Sequence, residues 1–193
     1  MGKNNAANQE KPTLPSLNPD IRLIGTIDEN MLQNYLDQSG KVEGDRPVVL
    51  ELSTAGGEAD TARRLAQDVR MLSQEREVFF LGKTYVYSAG ITVMAAVPPS
   101  HRFLTRDTLL LIHERRMERT VQLSGALRSS VAVIQDLMAE LESGQALERG
   151  GFEELVDGSA LSVDELMERV MQKDWYMTAE EALSLRLVAG LVG

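Results

Sequence analysis

The chain has 193 residues, 43% of them hydrophobic, which suits one compact core rather than two independent domains. Its 29 acidic against 20 basic residues leave a formal net charge of -9, which argues against nucleic acid or an anionic membrane as the main partner, because either repels such a chain at long range. Zero cysteines exclude disulfides, thiolate metal sites and a cysteine nucleophile.

Residues 1–20 are polar and carry Pro12, Pro15 and Pro19, so they are expected to form a flexible N-terminal arm ahead of one domain over residues 21–193. The first ten residues have no apolar core of signal-peptide length, and no later run reaches the roughly 20 apolar residues that span a bilayer. The expectation is a cytoplasmic, soluble protein. After the short apolar run at 21–24, Thr26 and Glu29 stand at capping-box spacing and predict a helix to about Gln38, ended by Gly40.

Residues 47–52 are β-branched and mostly apolar, as a buried parallel strand should be, and they run into the turn at Gly56-Gly57. A helix follows over 59–73, with Leu65, Val69 and Leu72 on one face. A second strand at 78–81 is expected to end at Gly82. Beyond it lies Ser88, opening a run of small apolar residues from Ala89 to Val97 that Pro98-Pro99 stops. Strands at 102–105 and 108–113, a helix over 124–142 and a glycine-bearing stretch at 143–158 come next. Capping boxes at Ser162-x-x-Glu165 and Thr178-x-x-Glu181 then open two further helices. Alternating strands and helices in the first two thirds predict an α/β fold with a mainly parallel sheet.

Three features carry chemistry. Ser88 follows a strand-like segment and opens a helix, so its own amide and that of Ala89 would lie in the helix N-terminal field, although a serine there also serves as a plain N-cap. His113 is one of two histidines and ends an apolar strand; its neutral imidazole can take a proton near pH 7, or it can be a buried structural histidine. Gly56-Gly57 offers unobstructed amides at the end of a parallel strand, where α/β proteins place ligands, or is simply a tight connection. Asp107, Asp157, Asp164 and Asp174 all remain open as the carboxylate that would orient the histidine. No metal-ligand spacing, phosphate loop or dinucleotide fingerprint is present.

The order Gly-Gly, Ser, His, Asp resembles the ClpP family, the proteolytic subunits of the Clp protease on the crotonase-like fold. It is carried by Ser53-Thr54-Ala55-Gly56-Gly57, Ser88-Ala89-Gly90, Leu111-Ile112-His113 and Asp174-Trp175-Tyr176-Met177-Thr178-Ala179-Glu180-Glu181-Ala182, over residues 21–193. The resemblance implies crotonase-like β-β-α units, with a helical handle at about 115–160. It also implies a cofactor-free serine endopeptidase acting on peptides or unfolded polypeptides through an acyl-enzyme. Ser88 would be the nucleophile, His113 the base and Asp174 its orienter, with the amides of Gly57 and Ala89 as the oxyanion hole. Gly56, Glu58, Thr120 and Val121 would contact substrate.

The resemblance further implies a ring-shaped homo-oligomer, with two rings joined through the handle. The family's axial loop is not recognisable in residues 1–20, so a Clp-type ATPase partner stays open. Glu114-Arg115 replaces the family's Gln-Pro after the histidine, and residues 116–121 replace its glycine-rich strand. Two other readings stand beside this one: a non-catalytic ring subunit, and an acyl-CoA enzyme of the wider crotonase-like group.

Overall fold

The structure, a computed structural model, describes residues 13–193; residues 1–12 of the expected N-terminal arm lie outside the described residues. Seven strands form one sheet: β1 (Ile21–Ile24), β2 (Val48–Thr54), β3 (Val78–Tyr87), β4 (Arg102–Thr105), β5 (Leu109–Ile112), β6 (Trp175–Thr178) and β7 (Gly190–Val192). The helices are α1 (Glu29–Ser39), α2 (Ala59–Glu75), α3 (Ala89–Ala95), α4 (Leu127–Val156), α5 (Val163–Val170) and α6 (Ala179–Ser184). The spatial order is β1-β2-β3-β4-β7, and β5 and β6 branch off β3. Every pairing is parallel except β5 with β6. The α/β class with a mainly parallel sheet is therefore as expected.

The two faces of the sheet are covered unequally. The buried apolar side chains of all six helices join Val48, Leu50 and Leu52 of β2 in one core. Val49, Phe79, Leu81 and Phe103 point the other way into a small cluster capped by Leu14, Ala189 and Val192. Removing apolar surface from water on the helical side is the main driving force holding the layers together.

The strand predicted to end at Gly82 runs on to Tyr87, and this continuation builds the site. Gly82 is there for close approach rather than termination: a Cβ on it would stand 2.6 Å from the Leu104 side chain. Past Gly82 the backbone bulges, with Thr84 at φ 60, and Leu52 pairs with Gly82 while Thr54 pairs with Val86. The bulge lets β3 exchange neighbours. Its first half pairs with β4 and its second half with β5, so Tyr87 lies opposite Leu111.

Other departures from the sequence reading have local causes. Asp28, not Thr26, caps α1, its carboxylate accepting the Met31 N–H at 2.9 Å. The capping boxes at Ser162 and Thr178 form as expected. Strands β6 and β7 were not foreseen; β6 pairs antiparallel with β5, and β7 pairs with β4. Helix α4 does not stop near Glu142 but continues through Gly144, Gly150 and Gly151 to Val156. Its far end is fastened by burial of Phe152, Leu155 and Val156 and by Arg102.

Arg102 is fully buried and makes no ion pair among the described residues, and its guanidinium donates to the carbonyls of Val97, Leu155, Leu187, Ala95 and Glu154. Burial pulls its pKa down to about 10, against the opposing fields of Glu154 and Asp157. It ties the end of α3, the end of α4 and the approach to β7 into one body.

Candidate active site

Ser88 sits at the junction of β3 and α3 with φ 54 and ψ -117, a conformation that an L-residue with a side chain rarely adopts. Such strain costs on the order of 1–3 kcal/mol and persists only where the surroundings enforce it. The enforcement is visible on both sides. The Ser88 N–H donates to the Leu111 carbonyl at 2.8 Å, pinning the turn to β5. Gly56, at φ 104, fits beneath it; a Cβ there would stand 2.8 Å from the Ser88 Cβ and 3.3 Å from its Oγ.

His113 directly follows β5, one residue past the predicted strand's last paired position at Ile112. Because β5 lies beside the second half of β3, the imidazole reaches Ser88, with Nε2 2.8 Å from the Ser88 Oγ. The Nδ1 atom lies 2.6 Å from the Glu114 carbonyl oxygen. A carbonyl only accepts, so Nδ1 carries the proton and Nε2 offers its lone pair to the serine hydroxyl. This is the tautomer a general base requires.

Asp174, which lies between α5 and β6, does not complete the set in this arrangement. Its carboxylate accepts from the Arg116 guanidinium at 2.5 Å, and it makes no hydrogen bond or ion pair with His113 among the described residues. The structure brings Ser88 and His113 together and places Asp174 on Arg116. Asp107 bonds Thr105, Asp164 pairs with Arg149, and Asp157 caps α4, so none of these three engages His113 either.

The glycine turn is built against β1's extension. Gly57, at φ 151, pairs as an isolated parallel bridge with Ile27, and a Cβ on it would stand 2.2 Å from the Ile27 carbonyl oxygen. The flanking bonds are Ile27 N–H to Gly56 and Glu58 N–H to Ile27, each 2.9 Å. Gly57, Ala89, Ser88 and His113 line a cavity of about 530 Å³ whose apolar part includes Ile91 and Phe152. This volume falls in the range of small-molecule and peptide side-chain pockets.

The expected substrate contacts divide. Gly56 lies against Ser88, but Glu58 accepts a hydrogen bond from Thr61 at 2.8 Å and is not on the cavity wall. Thr120 and Val121 lie in an irregular segment, without strand, between His113 and α4, and they do not reach the cavity. What does reach it is a set of arginines: Arg63, Arg70, Arg115 and Arg116. The Arg-Arg pair directly after Glu114 was the available signal for two of them; Arg115 is also the second residue of the Glu114-Arg115 dipeptide that stands where Gln-Pro was expected.

The segment after His113 is tied down by polar contacts. The Glu114 carboxylate accepts the Gln172 N–H at 2.8 Å, the Arg115 guanidinium meets Asp60 at 3.0 Å, and the Arg115 N–H meets Glu148. Arg119 pairs with Glu140 on α4. Asp60's hydrogen bond to Arg115 is the main reason its carboxyl is held below the usual 3.8.

The helix-covered, mainly parallel sheet is a ClpP-like fold. The chain belongs to the Clp protease family, whose sequence profile matches residues 18–193. It is similar to the ATP-dependent Clp protease proteolytic subunit 2 of Treponema pallidum, at 25% identity over 72% of this chain and 83% of that protein. The subunit of the same description from Pseudomonas aeruginosa is 22% identical over 89% of this chain and 80% of its own length. Among solved structures, a ClpP1 point mutant from Listeria monocytogenes superposes with a TM-score of 0.72 at 15% identity, covering 90% of this chain and 91% of the other. Identity at this level marks a divergent member that shares the fold.

Proposed function

We propose that this protein is a serine endopeptidase that cleaves peptides or unfolded polypeptides through an acyl-enzyme. The observation that carries the reading is the 2.8 Å contact between the Ser88 Oγ and the His113 Nε2, with the serine held on a strained turn. His113 takes the hydroxyl proton as Oγ attacks the scissile carbonyl. The amides of Gly57 and Ala89 receive the developing oxyanion. His113 then returns the proton to the leaving amine, leaving an ester on Ser88. Water activated by the same imidazole hydrolyses that ester and restores the serine. Asp174 is the carboxylate that backs the imidazolium when it is free to do so.

The peptidase works, in this proposal, in the cytoplasm as a ring-shaped homo-oligomer, and the shape of α4 supports the assembly. Leu127, Val131, Ile134, Met138 and Leu141 recur on one face of its projecting part and are exposed in the single chain. Both curated relatives are named subunits of an ATP-dependent Clp protease, and by that likeness a Clp-type ATPase is the candidate partner that feeds the chamber.

The test is hydrolysis of fluorogenic peptides and of an unfolded protein by the wild type, Ser88→Ala and His113→Ala. Each substitution is expected to lower kcat/KM by on the order of 10⁴-fold or more with circular dichroism unchanged. Hydrolysis that survives both substitutions would refute the assignment. Absence of turnover in an assembled wild type would favour the non-catalytic ring subunit, which the Arg116–Asp174 pairing also suits.

A further inference from the structure

We infer that Arg116 is a positioning residue that withholds Asp174 from His113 and so keeps the enzyme in a low-turnover resting state. The inference rests on the peptidase reading above. The Ser88–His113 pair already has its hydrogen bond and its tautomer, both set by backbone and by the Glu114 carbonyl. Among the described residues, no carboxylate hydrogen-bonds or ion-pairs with the imidazole. A neutral carbonyl can hold the Nδ1 proton, but it cannot match a carboxylate in stabilising the imidazolium that forms when the serine proton moves. The carboxylate to which the family resemblance gives that task is on Arg116 instead.

The surroundings show a choice between two partners rather than a fixed structural bond. His113, Arg116 and Asp174 all line one open space of about 1220 Å³, so the carboxylate is not walled off from the imidazole. Gln172, two residues before Asp174, stands at φ 57, and the backbone between α5 and β6 makes a tight reversal there. Arg116 lies on the irregular segment after His113, where Glu114, Arg115 and Arg119 are anchored by polar contacts to separate parts of the chain.

The Arg116–Asp174 pair is solvent-accessible, with side-chain exposures of 71% and 34%. Pairs of that kind are weak and screened by salt, so this one is easily traded for another contact. Arg116 also lines the cavity that holds Ser88, which gives a bound peptide direct access to it.

The experiment is steady-state peptide hydrolysis by the full chain as wild type, Arg116→Gln, and the double variant Arg116→Gln with Asp174→Asn, at low and high sodium chloride. Arg116→Gln is expected to raise kcat about two- to five-fold, the range an exposed ion pair allows. The double variant is expected to lose that gain. Salt should raise the wild-type kcat and leave Arg116→Gln little changed, a readout that needs no substitution in the wild-type arm. A wild type that hydrolyses peptide but is not slower than Arg116→Gln, or a gain that persists without the Asp174 carboxylate, overturns the inference and leaves the peptidase reading standing. No hydrolysis by any of the three, together with no fluorophosphonate adduct on Ser88, overturns both.

Discussion

The half of the site that carries Ser88 is held by backbone bonds and packed apolar atoms, whereas the half that carries Asp174 is held by accessible ion pairs. Ser88 is fixed by Leu111, Gly56 and the bulged end of β3, and Gly57 is wedged against the Ile27 backbone. Asp174, by contrast, depends on Arg116, and the neighbouring Arg115 depends on Asp60. Close-packed interiors transmit any displacement, while exposed charge pairs exchange partners at little cost. On the proposed reading, Ser88 and His113 are therefore held in place, while the Asp174 carboxylate is held by a contact that is easily exchanged.

The largest effect should come from disturbing the packed half. Gly57→Ala places a methyl where the Ile27 carbonyl already stands, so the turn must shift and carry its amide away from Ser88. A displacement of about 1 Å at a reacting centre costs on the order of 10²-fold in turnover, and that loss is expected in peptide hydrolysis by a variant that still assembles. Turnover within twofold of wild type would mean that the Gly57 amide is not part of the machinery.

Next in size is Arg102→Met, read as stability rather than turnover. It leaves buried carbonyls of Val97, Leu155 and Leu187 without their donor, and is expected to cost about 3–5 kcal/mol in chemical denaturation. A loss below about 1 kcal/mol would show that α4 is anchored by Phe152 and Leu155 alone.

The smallest effect belongs to the ion-paired half. Asp60's folded-state carboxyl titrates below its ordinary 3.8, so its stabilising contribution is complete above that value and is lost as the pH falls through the lowered one. Hydrogen exchange over residues 113–119 should quicken in that acid range in the wild type. In Asp60→Asn it should already be quicker at neutral pH, with no further step. Identical profiles would show that the Arg115 contact does not restrain the segment.

The same division explains what the sequence disclosed. Strand β4, the opening of α2, and the capping boxes at Ser162 and Thr178 follow from local patterns, and they fall where those patterns place them. The Ser88–His113 meeting was readable only as an order of motifs, because it depends on β3 changing neighbours at a bulge that no local rule announces. Gly82 and Gly144 mislead for one reason: a glycine signals a break only when nothing else holds the element together. The sheet on both sides holds β3, and the buried end of α4 holds the helix. The Arg116–Asp174 pair, 58 positions apart, was out of reach because no local pattern links residues so far separated in sequence.

The most direct test of the central claim is the rate at which a fluorophosphonate probe modifies Ser88, followed by mass spectrometry in the wild type and in His113→Ala. If Ser88 and His113 are nucleophile and base, the wild type forms a single adduct on Ser88 and His113→Ala forms it at least a hundredfold more slowly, on the order expected for loss of a general base. Equal rates in the two proteins, or no adduct on a folded and assembled wild type, would contradict it.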